Sequence, residues 1–313
     1  MIYFTMAKLR VAVIGVGHLG SIHARIYRQL ENCELVAVCD TDKNKLDLIA
    51  RELKIPGVTD YRELLNKADA VSVAVPTKLH FAIAKDFLKH RIHSLVEKPF
   101  TLNLKEADTL IKLAKKNKLI LQVGHIERFN SAFAATQKLI HNPKFIECHR
   151  LSPFPNRSLD VGAVLDIMIH DIDIVLGLVP YKIKKIEAVG VNVLSSFEDI
   201  ANARITFSNG CVANLTASRV SDEVMRKIRI FQKDTYISLD YKEAKASIYQ
   251  KGAMGISKQD LPIEKEQPLQ KELQAFIDCV RQNKEPLVSG RVAREALKVA
   301  LEIQNQIWQK KIF

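Results

Sequence analysis

The sequence lacks the features that mark several classes of protein. It has no run of about 18 or more apolar residues, which a membrane-spanning helix requires. Its start, MIYFTMAKLRVAVIG, has neither the basic region nor the cleavage site of a signal peptide, and Met6 is an alternative start. Its five cysteines show no CxxC spacing, so we expect buried thiols, no disulfide framework and no zinc site. These absences predict a cytoplasmic protein without a membrane partner.

Acidic residues are also scarce relative to basic ones. Asp and Glu number 35 against 47 Lys and Arg, which gives a formal net charge of +12. Such a surface can attract nucleic acid, anionic lipid or a phosphorylated metabolite. The lysines are dispersed, as in KLAKKNK at 112–118, and no basic stripe alternates with aromatic residues. We therefore favour a solvated surface, then an anionic ligand, and do not expect nucleic acid.

The length of 313 residues, with 47% hydrophobic and 26% charged residues, suits a globular protein of two domains. The first part alternates continuous apolar runs with helical patterns, which is typical of strands covered on both faces. The predicted strands are Leu9–Gly15, Glu34–Asp40, Asp69–Val75, His93–Lys98 and Leu119–Gly124. The predicted helices are Leu19–Leu30, Lys43–Leu53, Leu79–His90 and Leu104–Asn117. Residues 1–124 are thus predicted to form an α/β Rossmann domain with a doubly wound parallel sheet.

The pattern after Gly124 predicts an α+β domain over residues 125–290, for substrate binding and oligomerisation. Its strands follow one another, and Asn209-Gly210 signals a hairpin, so we expect a mostly antiparallel open sheet with helices on one face. The predicted helices are Phe129–Ile140, Gly162–Leu178, Leu269–Gln282 and Arg291–Lys310. The predicted strands are Lys184–Leu194, Ile200–Ser208, Cys211–Ser218, Met225–Gln232 and Tyr236–Tyr241. The final helix, about 291–313, is expected to pack back on the Rossmann domain.

A glycine-rich turn, VIGVGHLGSIHA, follows the first predicted strand. Gly15, Gly17 and Gly20 form GxGxxG, which permits a tight turn, close approach of a pyrophosphate and close helix–strand packing. His18 and Leu19 lie inside this turn, where free N–H groups of the helix bind phosphate. The predicted cofactor is therefore a dinucleotide.

Asp40 ends the second predicted strand, 20 residues after Gly20. An acid at this place binds ribose hydroxyls and repels a 2′-phosphate, which favours NAD over NADP. Lys43 could weaken that preference. The alternative is that Asp40 or Thr41 only caps the next helix.

Two further segments leave the same edge of the predicted sheet. VPTKLH places Pro76, Thr77 and His80 near the cofactor, although Thr77 is as well explained as a helix cap. LVEKPFTL places Glu97 and Lys98 at a strand end, where Pro99 directs the chain and the ammonium can stabilise a forming alkoxide. Glu97 is left with three roles, namely orienting Lys98, touching the cofactor or closing a salt bridge, and an ordinary salt-bridged loop is the alternative for the pair.

The helix VGAVLDIMIHDIDIVLGLV is apolar on almost every side, so we expect it to be buried. Asp166, His170 and Asp173 interrupt it at i, i+4 and i+7, on one face. His170 can take a hydroxyl proton and Asp166 can orient its ring. Asp171 and Asp173 are alternatively structural, and a metal site is disfavoured because no ligand cluster has fixed spacing.

The connecting stretch QVGHIERFNSA supplies candidate substrate contacts. His125, Arg128 and Asn130, with Glu127, are predicted to face the inter-domain cleft, and Arg128 can clamp a carboxylate or phosphate. A later extended piece adds Arg150, Asn156 and Arg157, for which surface solvation is the alternative. The predicted substrate-binding set is His125, Arg128, Asn130, Arg157, Asp166 and His170.

Three motifs together resemble the Gfo/Idh/MocA family of sugar oxidoreductases over nearly the whole chain: the GxGxxG after the first strand, the EKP of Glu97-Lys98-Pro99 at the end of the fifth predicted strand, and the D-x-x-x-H of Asp166 and His170. The resemblance implies that Lys98 contacts both cofactor and substrate at the reacting carbon. It also implies that Asp166 and His170 match the catalytic pair of the family, with His170 the acid/base. The connecting stretch resembles that of members acting on UDP-N-acetylglucosamine at carbon 3.

The expected function is NAD-dependent oxidation of a secondary hydroxyl of a sugar or nucleotide-sugar, by a homodimer or homotetramer. Within the family, inositol, a free hexose or a trans-dihydrodiol are alternative substrates. From other classes, a non-catalytic NAD-binding regulator and a nucleic-acid-binding protein remain as alternatives.

Overall fold

The structure is a computed structural model that describes residues 7–154, 160–253, 255–264 and 266–309. The described chain divides into two compact units. The first unit contains the residues up to Gly124 together with Leu269–Arg294, and the second contains His125–Pro268 and the residues from Glu295 onward.

Six parallel strands form the sheet of the first unit. They are β1 (Leu9–Ile14), β2 (Cys33–Cys39), β3 (Gly57–Val58), β4 (Ala70–Val73), β5 (His93–Glu97) and β6 (Leu121–Gly124). Their order is β3-β2-β1-β4-β5-β6, so the direction of winding reverses between β1 and β4. In such sheets ligands bind at the carboxyl ends of the strands beside this reversal. The predicted doubly wound Rossmann sheet is confirmed, and the short edge strand β3 is the strand that the apolar pattern missed.

Four helices connect these strands, namely α1 (His18–Gln29), α2 (Lys43–Leu53), α3 (Thr77–Lys89) and α4 (Leu104–Asn117). Local capping explains where two of them begin. The Asp42 carboxylate accepts hydrogen bonds from the first turn of α2, and the Asn103 amide oxygen does the same for α4. The strands are buried along most of their length because helices cover the sheet, as the continuous apolar runs predict.

Eight strands form the sheet of the second unit. They are β7 (Phe145–Leu151), β8 (Ile183–Val191), β9 (Ile200–Phe207), β10 (Val212–Ser218), β11 (Met225–Gln232), β12 (Thr235–Asp240), β13 (Lys245–Gly252) and β14 (Gly255–Asp260). Their order is β14-β13-β12-β11-β7-β10-β9-β8, and all neighbours are antiparallel except β7 and β10. The predicted hairpin joins β9 to β10, with Gly210 at a φ of +83°. Buried and exposed residues alternate along β9, which leaves one face for the core.

Helices α5 (Ser131–Gln137) and α6 (Ile169–Leu178) lie against the buried face of this sheet. The predicted α+β arrangement is therefore confirmed. The sequence did not predict β7, which is a central strand, because Glu147 and Arg150 interrupt its apolar pattern. It also missed β13 and β14, whose residues are mostly polar. The predicted helix over 162–178 is a π-helical turn at Val164–Met168 that continues directly into α6.

Two helices end the chain, α7 (Pro268–Gln282) and α8 (Gly290–Gln309). α7 belongs to the first unit, where the Gln122 amide donates to the Glu272 carbonyl at 3.2 Å, although the sequence placed it in the second domain. The first turn of α8 also belongs there. From Glu295 onward α8 belongs to the second unit, where the Gln306 amide donates to the Ile186 carbonyl at 2.9 Å. No described helix combines the length and apolarity needed to cross a membrane.

Candidate functional site

The three glycines of the turn after β1 differ in the space around the position that a Cβ would occupy. Gly15 has a φ of +88°, and a Cβ there would lie 2.5 Å from the Ala74 carbonyl oxygen. A Cβ on Gly20 would overlap the Gly15 carbonyl, so α1 can approach β1 only through a glycine. A Cβ on Gly17 would meet nothing within 4 Å. The turn is therefore closed on two sides and open at Gly17, as a pyrophosphate site requires.

The N-terminus of α1 is available for an anion. Gly17 is the N-cap residue and supplies no side-chain hydrogen bond to the first turn. Exposed His18 and half-buried Leu19 are the first two helical residues, and their N–H groups have no intrahelical acceptor. The geometry of this turn fits the phosphates of a dinucleotide.

Asp40 follows β2 beside this turn. Its carboxylate accepts hydrogen bonds from the Val16 N–H and the Asp42 N–H, each at 2.8 Å. The alternative that Asp40 or Thr41 caps α2 is wrong, because Asp42 is the N-cap residue. Each carboxylate oxygen of Asp40 can accept a further bond, so ribose hydroxyls remain possible donors.

The segment after β4 contains a buried histidine that braces the backbone. Pro76 is the N-cap residue of α3 and Thr77 is its first helical residue, so Thr77 is not the cap. The ring nitrogens of His80 lie 2.8 Å from the Val75 carbonyl and 3.0 Å from the Pro99 carbonyl. Burial lowers the pKa of His80, and a neutral ring donates to one carbonyl at a time. His80 thus ties the end of β4 to the turn after β5.

Lys98 leaves the carboxyl end of β5 half-buried, and its peptide bond to Pro99 is cis. The preceding Glu97 is buried, with one carboxylate oxygen 3.3 Å from His23 Nε2 and the other accepting the Lys98 N–H at 3.2 Å. A Cβ on Gly124 would lie 2.6 Å from this carboxylate, so the glycine makes room for it. Burial opposes the charge of Glu97, but His23 and Lys98 outweigh burial and lower its pKa. Glu97 therefore has buried partners in the His23 ring and the Lys98 N–H, and the choice among its three predicted roles stays a prediction.

His23 was not predicted as a site residue. It lies on α1, and its Nδ1 is 2.8 Å from the Ser72 hydroxyl on β4. Both side chains are fully buried. A signal was present in the sequence, because Gly20, His23, Ala24 and Tyr27 follow the i, i+3, i+4, i+7 spacing of a buried helix face.

The second unit holds the other candidate catalytic residues. Asp166 lies in the π-helical turn and His170 in the first turn of α6. Both are half-buried within a mostly buried segment, so each retains access to a ligand. His125 is buried beside His170, with the ring centroids 6.1 Å apart and the rings edge to face. π-helical turns inside α-helices frequently occur at functional sites.

Arg128 and Asn130 have partners within the second unit. Arg128 Nε donates to the Asp173 carboxylate at 2.6 Å, and its guanidinium packs against Gly177. Asn130 caps α5, and its amide nitrogen donates to Glu127 at 3.3 Å. Asp173 therefore has the structural role that the sequence left open, and the substrate contacts of Arg128 and Asn130 stay predictions.

Arg150 forms a buried network with two carboxylates. Its guanidinium donates to Asp171 at 2.8 Å and to Glu127 at 2.7 Å. Burial alone would lower the pKa of Arg150, but the two carboxylates raise it, while burial outweighs Arg150 and raises the pKa of Asp171. Surface solvation is thus wrong for Arg150, which lies on β7. The predicted contacts of Arg157 and its neighbour Asn156 lie outside the described residues.

The structure thus gathers the predicted cofactor residues at the carboxyl edge of the first sheet, and it pairs His125 with His170 in the second unit. In the described part of the chain, no group of three or more His, Cys, Asp or Glu side chains could hold a metal ion.

Comparison with known proteins gives matches over most of the chain. Residues 9–125 match the family model described as "Oxidoreductase family, NAD-binding Rossmann fold". Residues 124–236 match the model of the GFO/IDH/MocA C-terminal domain.

Three relatives illustrate the similarity. UDP-N-acetylglucosamine 3-dehydrogenase of Acidithiobacillus ferrooxidans is 36% identical over 306 residues, which cover 96% of this chain and 97% of that enzyme. Its solved structure matches with a TM-score of 0.91, over 96% of this chain and 98% of that one. The scyllo-inositol 2-dehydrogenase (NAD(+)) of Bacillus subtilis is 27% identical, covering 95% and 94% of the two chains. The scyllo-inositol dehydrogenase of Lactobacillus casei, solved with NAD(H) and scyllo-inositol, has a TM-score of 0.81 at 20% identity over 97% and 98%, which shows the shared fold.

Proposed function

Because the chain belongs to the Gfo/Idh/MocA family of NAD-binding oxidoreductases, we propose that it oxidises the carbon-3 hydroxyl of UDP-N-acetylglucosamine with NAD. The observation that carries the choice of substrate is the 36% identity, over 96% of this chain, to an enzyme named for that reaction. The net charge of +12 suits a substrate with an anionic diphosphate. Residues 1–124 would hold the cofactor, and residues 125–290 would bind the substrate.

The cofactor site is proposed at the carboxyl edge of the first sheet. The N–H groups at the start of α1, beside the open position at Gly17, would hold the pyrophosphate. The Asp40 carboxylate would accept from the ribose hydroxyls, which favours NAD over NADP. NAD, when bound, supplies a hydride acceptor for the carbinol carbon.

The chain supplies the proton transfer and the stabilisation of charge. His170 takes the proton of the substrate hydroxyl as the carbinol hydride leaves, so the alcohol becomes a ketone. The Lys98 ammonium donates a hydrogen bond to the oxygen as negative charge develops on it. Asp166, four residues before His170, would orient the ring of His170.

The test is a panel of alcohols with NAD and with NADP, in which the reduced nicotinamide is measured. We expect UDP-N-acetylglucosamine to give the highest kcat/KM, above myo-inositol, a free hexose and a trans-dihydrodiol, and NAD to exceed NADP. Lys98→Ala and His170→Ala should each lower kcat by about 100-fold or more while NAD binding persists. Exposed Lys112 on α4 provides the control substitution Lys112→Ala.

Different results would reassign the function or the roles. A higher kcat/KM for inositol than for UDP-N-acetylglucosamine would make the protein an inositol dehydrogenase of the same family. Turnover at the wild-type rate in Lys98→Ala or His170→Ala would show that the role of that residue is wrong.

The open face of the second sheet supports a homodimer or homotetramer. Phe231 stacks on Tyr236 with the ring centroids 4.8 Å apart, and Tyr236 stacks on Tyr249 at 4.9 Å, across three strands. At one edge, Val189 on β8 is 60% exposed. A second copy of the chain would cover such an apolar face. Light scattering after size exclusion should give a multiple of 35.4 kDa, and a monomer would contradict the proposal.

A cytoplasmic location is proposed on the chemistry of the cysteines. All five are free thiols, and four are buried. A reducing compartment keeps thiols in this state.

A further inference from the structure

Three buried side chains connect α1, β4 and β5 behind Lys98. Ser72 on β4 contacts His23 on α1 at 2.8 Å, and the other ring nitrogen of His23 lies 3.3 Å from Glu97 at the end of β5. The exposed fractions of Ser72, His23 and Glu97 are 0%, 0% and 6%. We call these residues the Ser72–His23–Glu97 cluster. A buried carboxylate requires such a partner, because an unpaired charge in the core is costly.

The hydrogen bond with Ser72 sets which ring nitrogen of His23 faces Glu97 with a proton. If Nδ1 accepts from the Ser72 hydroxyl, Nε2 carries the proton and faces the Glu97 carboxylate at 3.3 Å, as a close electrostatic contact and not as an aligned hydrogen bond. Ser72 then fixes the tautomer that serves Glu97. The geometry is that of a carboxylate held from one side by an oriented imidazole.

The cluster is coupled to Lys98 through the backbone. The second oxygen of Glu97 accepts the Lys98 N–H at 3.2 Å, and Gly124 on β6 leaves the space in which the carboxylate sits. On the other side of Lys98, His80 lies 3.0 Å from the Pro99 carbonyl. The backbone of Lys98 is therefore held on both sides, which restricts where its side chain can start.

We propose that His23 is a positioning residue, which holds Glu97 and thereby orients Lys98 for its task at the substrate oxygen. This inference rests on the proposed function, in which Lys98 stabilises the developing charge. The position of the Lys98 ammonium matters for the reaction rate, since a displacement of about 1 Å can lower the rate about 100-fold.

The first experiment measures kcat and KM with UDP-N-acetylglucosamine and NAD in His23→Leu and His23→Gln. His23→Leu removes the ring nitrogen that faces Glu97 at 3.3 Å, so kcat should fall about tenfold or more while both KM values change less than about threefold. The glutamine amide can also direct an N–H at Glu97, so His23→Gln should keep most of kcat. His93→Leu is the control. His93 lies on β5 at the end opposite to Glu97, where it accepts the Ile120 N–H at 2.9 Å.

A double variant separates positioning from general destabilisation. If His23 acts through Lys98, His23→Leu should not lower kcat further when it is added to Lys98→Ala. Three results would each overturn the inference. They are a double variant in which the two losses of kcat multiply, an equal fall of kcat in His93→Leu, and an unchanged kcat in a folded His23→Leu.

A measurement without turnover keeps the inference separate from the proposed function. Lysines are labelled by reductive ¹³C-methylation, and the Lys98 signal is identified by its absence from Lys98→Ala. His23→Leu should shift or broaden this signal, and His93→Leu should leave it in place. An unshifted signal in His23→Leu overturns the inference, whereas an absence of turnover in the wild type overturns the proposed function alone.

Discussion

The two units hold their candidate residues by different means. In the first unit, Gly15 and Gly20 permit backbone approaches that any side chain would block. Its guanidinium pairs lie near the surface, as Arg10–Asp69 does, with side chains 49% and 37% exposed. In the second unit, Arg150 and Arg128 are buried against carboxylates. The first unit should therefore be sensitive to added atoms, and the second to removed charges.

A further buried pair shows how far charge organises the second unit. Arg219 Nε donates to Asp199 at 2.9 Å, and both side chains are fully buried. The same guanidinium donates to the Val161 carbonyl at 2.9 Å, immediately before the helical segment that contains Asp166 and His170. Glu198 contacts the Val164 N–H at 3.3 Å in that segment. Charged side chains thus hold the start of the candidate catalytic helix.

The largest effect should come from removing a buried guanidinium. Arg150→Met would leave Asp171 and Glu127 buried without their cation, so the free energy of unfolding should fall by about 3–5 kcal/mol. Urea denaturation followed by circular dichroism measures this change.

Arg229→Met is the matched control, on the neighbouring strand β11. Arg229 pairs with Glu147 at 2.9 Å, but its side chain is 40% exposed, so its loss should cost about 1 kcal/mol or less. Equal losses for Arg150→Met and Arg229→Met would contradict the distinction between buried and exposed charge.

An intermediate effect should come from an added methyl group in the first unit. Gly20→Ala would force the new Cβ against the Gly15 carbonyl, which should cost about 1–3 kcal/mol and weaken NAD binding. Gly17→Ala is the control, because its Cβ has open space and its φ of −62° suits alanine. The stability of Gly17→Ala should stay within about 0.5 kcal/mol of the wild type.

NAD affinity distinguishes the two glycines further. The Gly17 methyl would occupy the side from which a pyrophosphate approaches, so binding should weaken in a protein of normal stability. Thermal unfolding with and without NAD measures both properties. If Gly17→Ala binds NAD with normal affinity, the phosphates of NAD do not lie beside Gly17.

The first unit was largely predictable because its site is built from local patterns. The spacing of Gly15, Gly17 and Gly20 and the position of Asp40 can be identified in the chain without knowledge of distant contacts. The bounds of α2 and α4 were predicted to the residue from their helical patterns, although the predicted cap of α2, Asp40 or Thr41, was wrong and the N-caps are Asp42 and Asn103. His23 was missed, although its spacing on α1 carries a signal.

The second unit was harder to predict because its organisation depends on pairs that are distant in sequence. Arg150 and Asp171 lie 21 positions apart, and no local pattern indicates that they meet. The same charges concealed β7, since a strand with Glu147 and Arg150 does not resemble a central strand. The helical periodicity likewise gives no sign of the π-helical turn around Asp166.

The smallest effect should come from a surface carboxylate of the first unit. Hydrogen bonds from Arg10 lower the pKa of Asp69. A carboxyl whose pKa is lowered by folding stabilises the protein above its unfolded pKa of about 3.9, and this stabilisation is lost as the pH falls through the folded pKa. Asp69→Asn should therefore cost about 0.5–1 kcal/mol at pH 7, because the pair is largely exposed.

The dependence on pH distinguishes charge from packing at this position. The difference between the wild type and Asp69→Asn should shrink steadily below about pH 4, since the wild-type carboxyl then becomes protonated. Urea unfolding of the wild type and Asp69→Asn at several pH values measures this difference, and the exposed Asp222→Asn is the control for the substitution itself. If the difference in stability persists unchanged into acid, the shape of the Asp69 side chain and not its charge determines its contribution. If Asp69→Asn costs as much stability as Arg150→Met, the contrast between the two units is wrong.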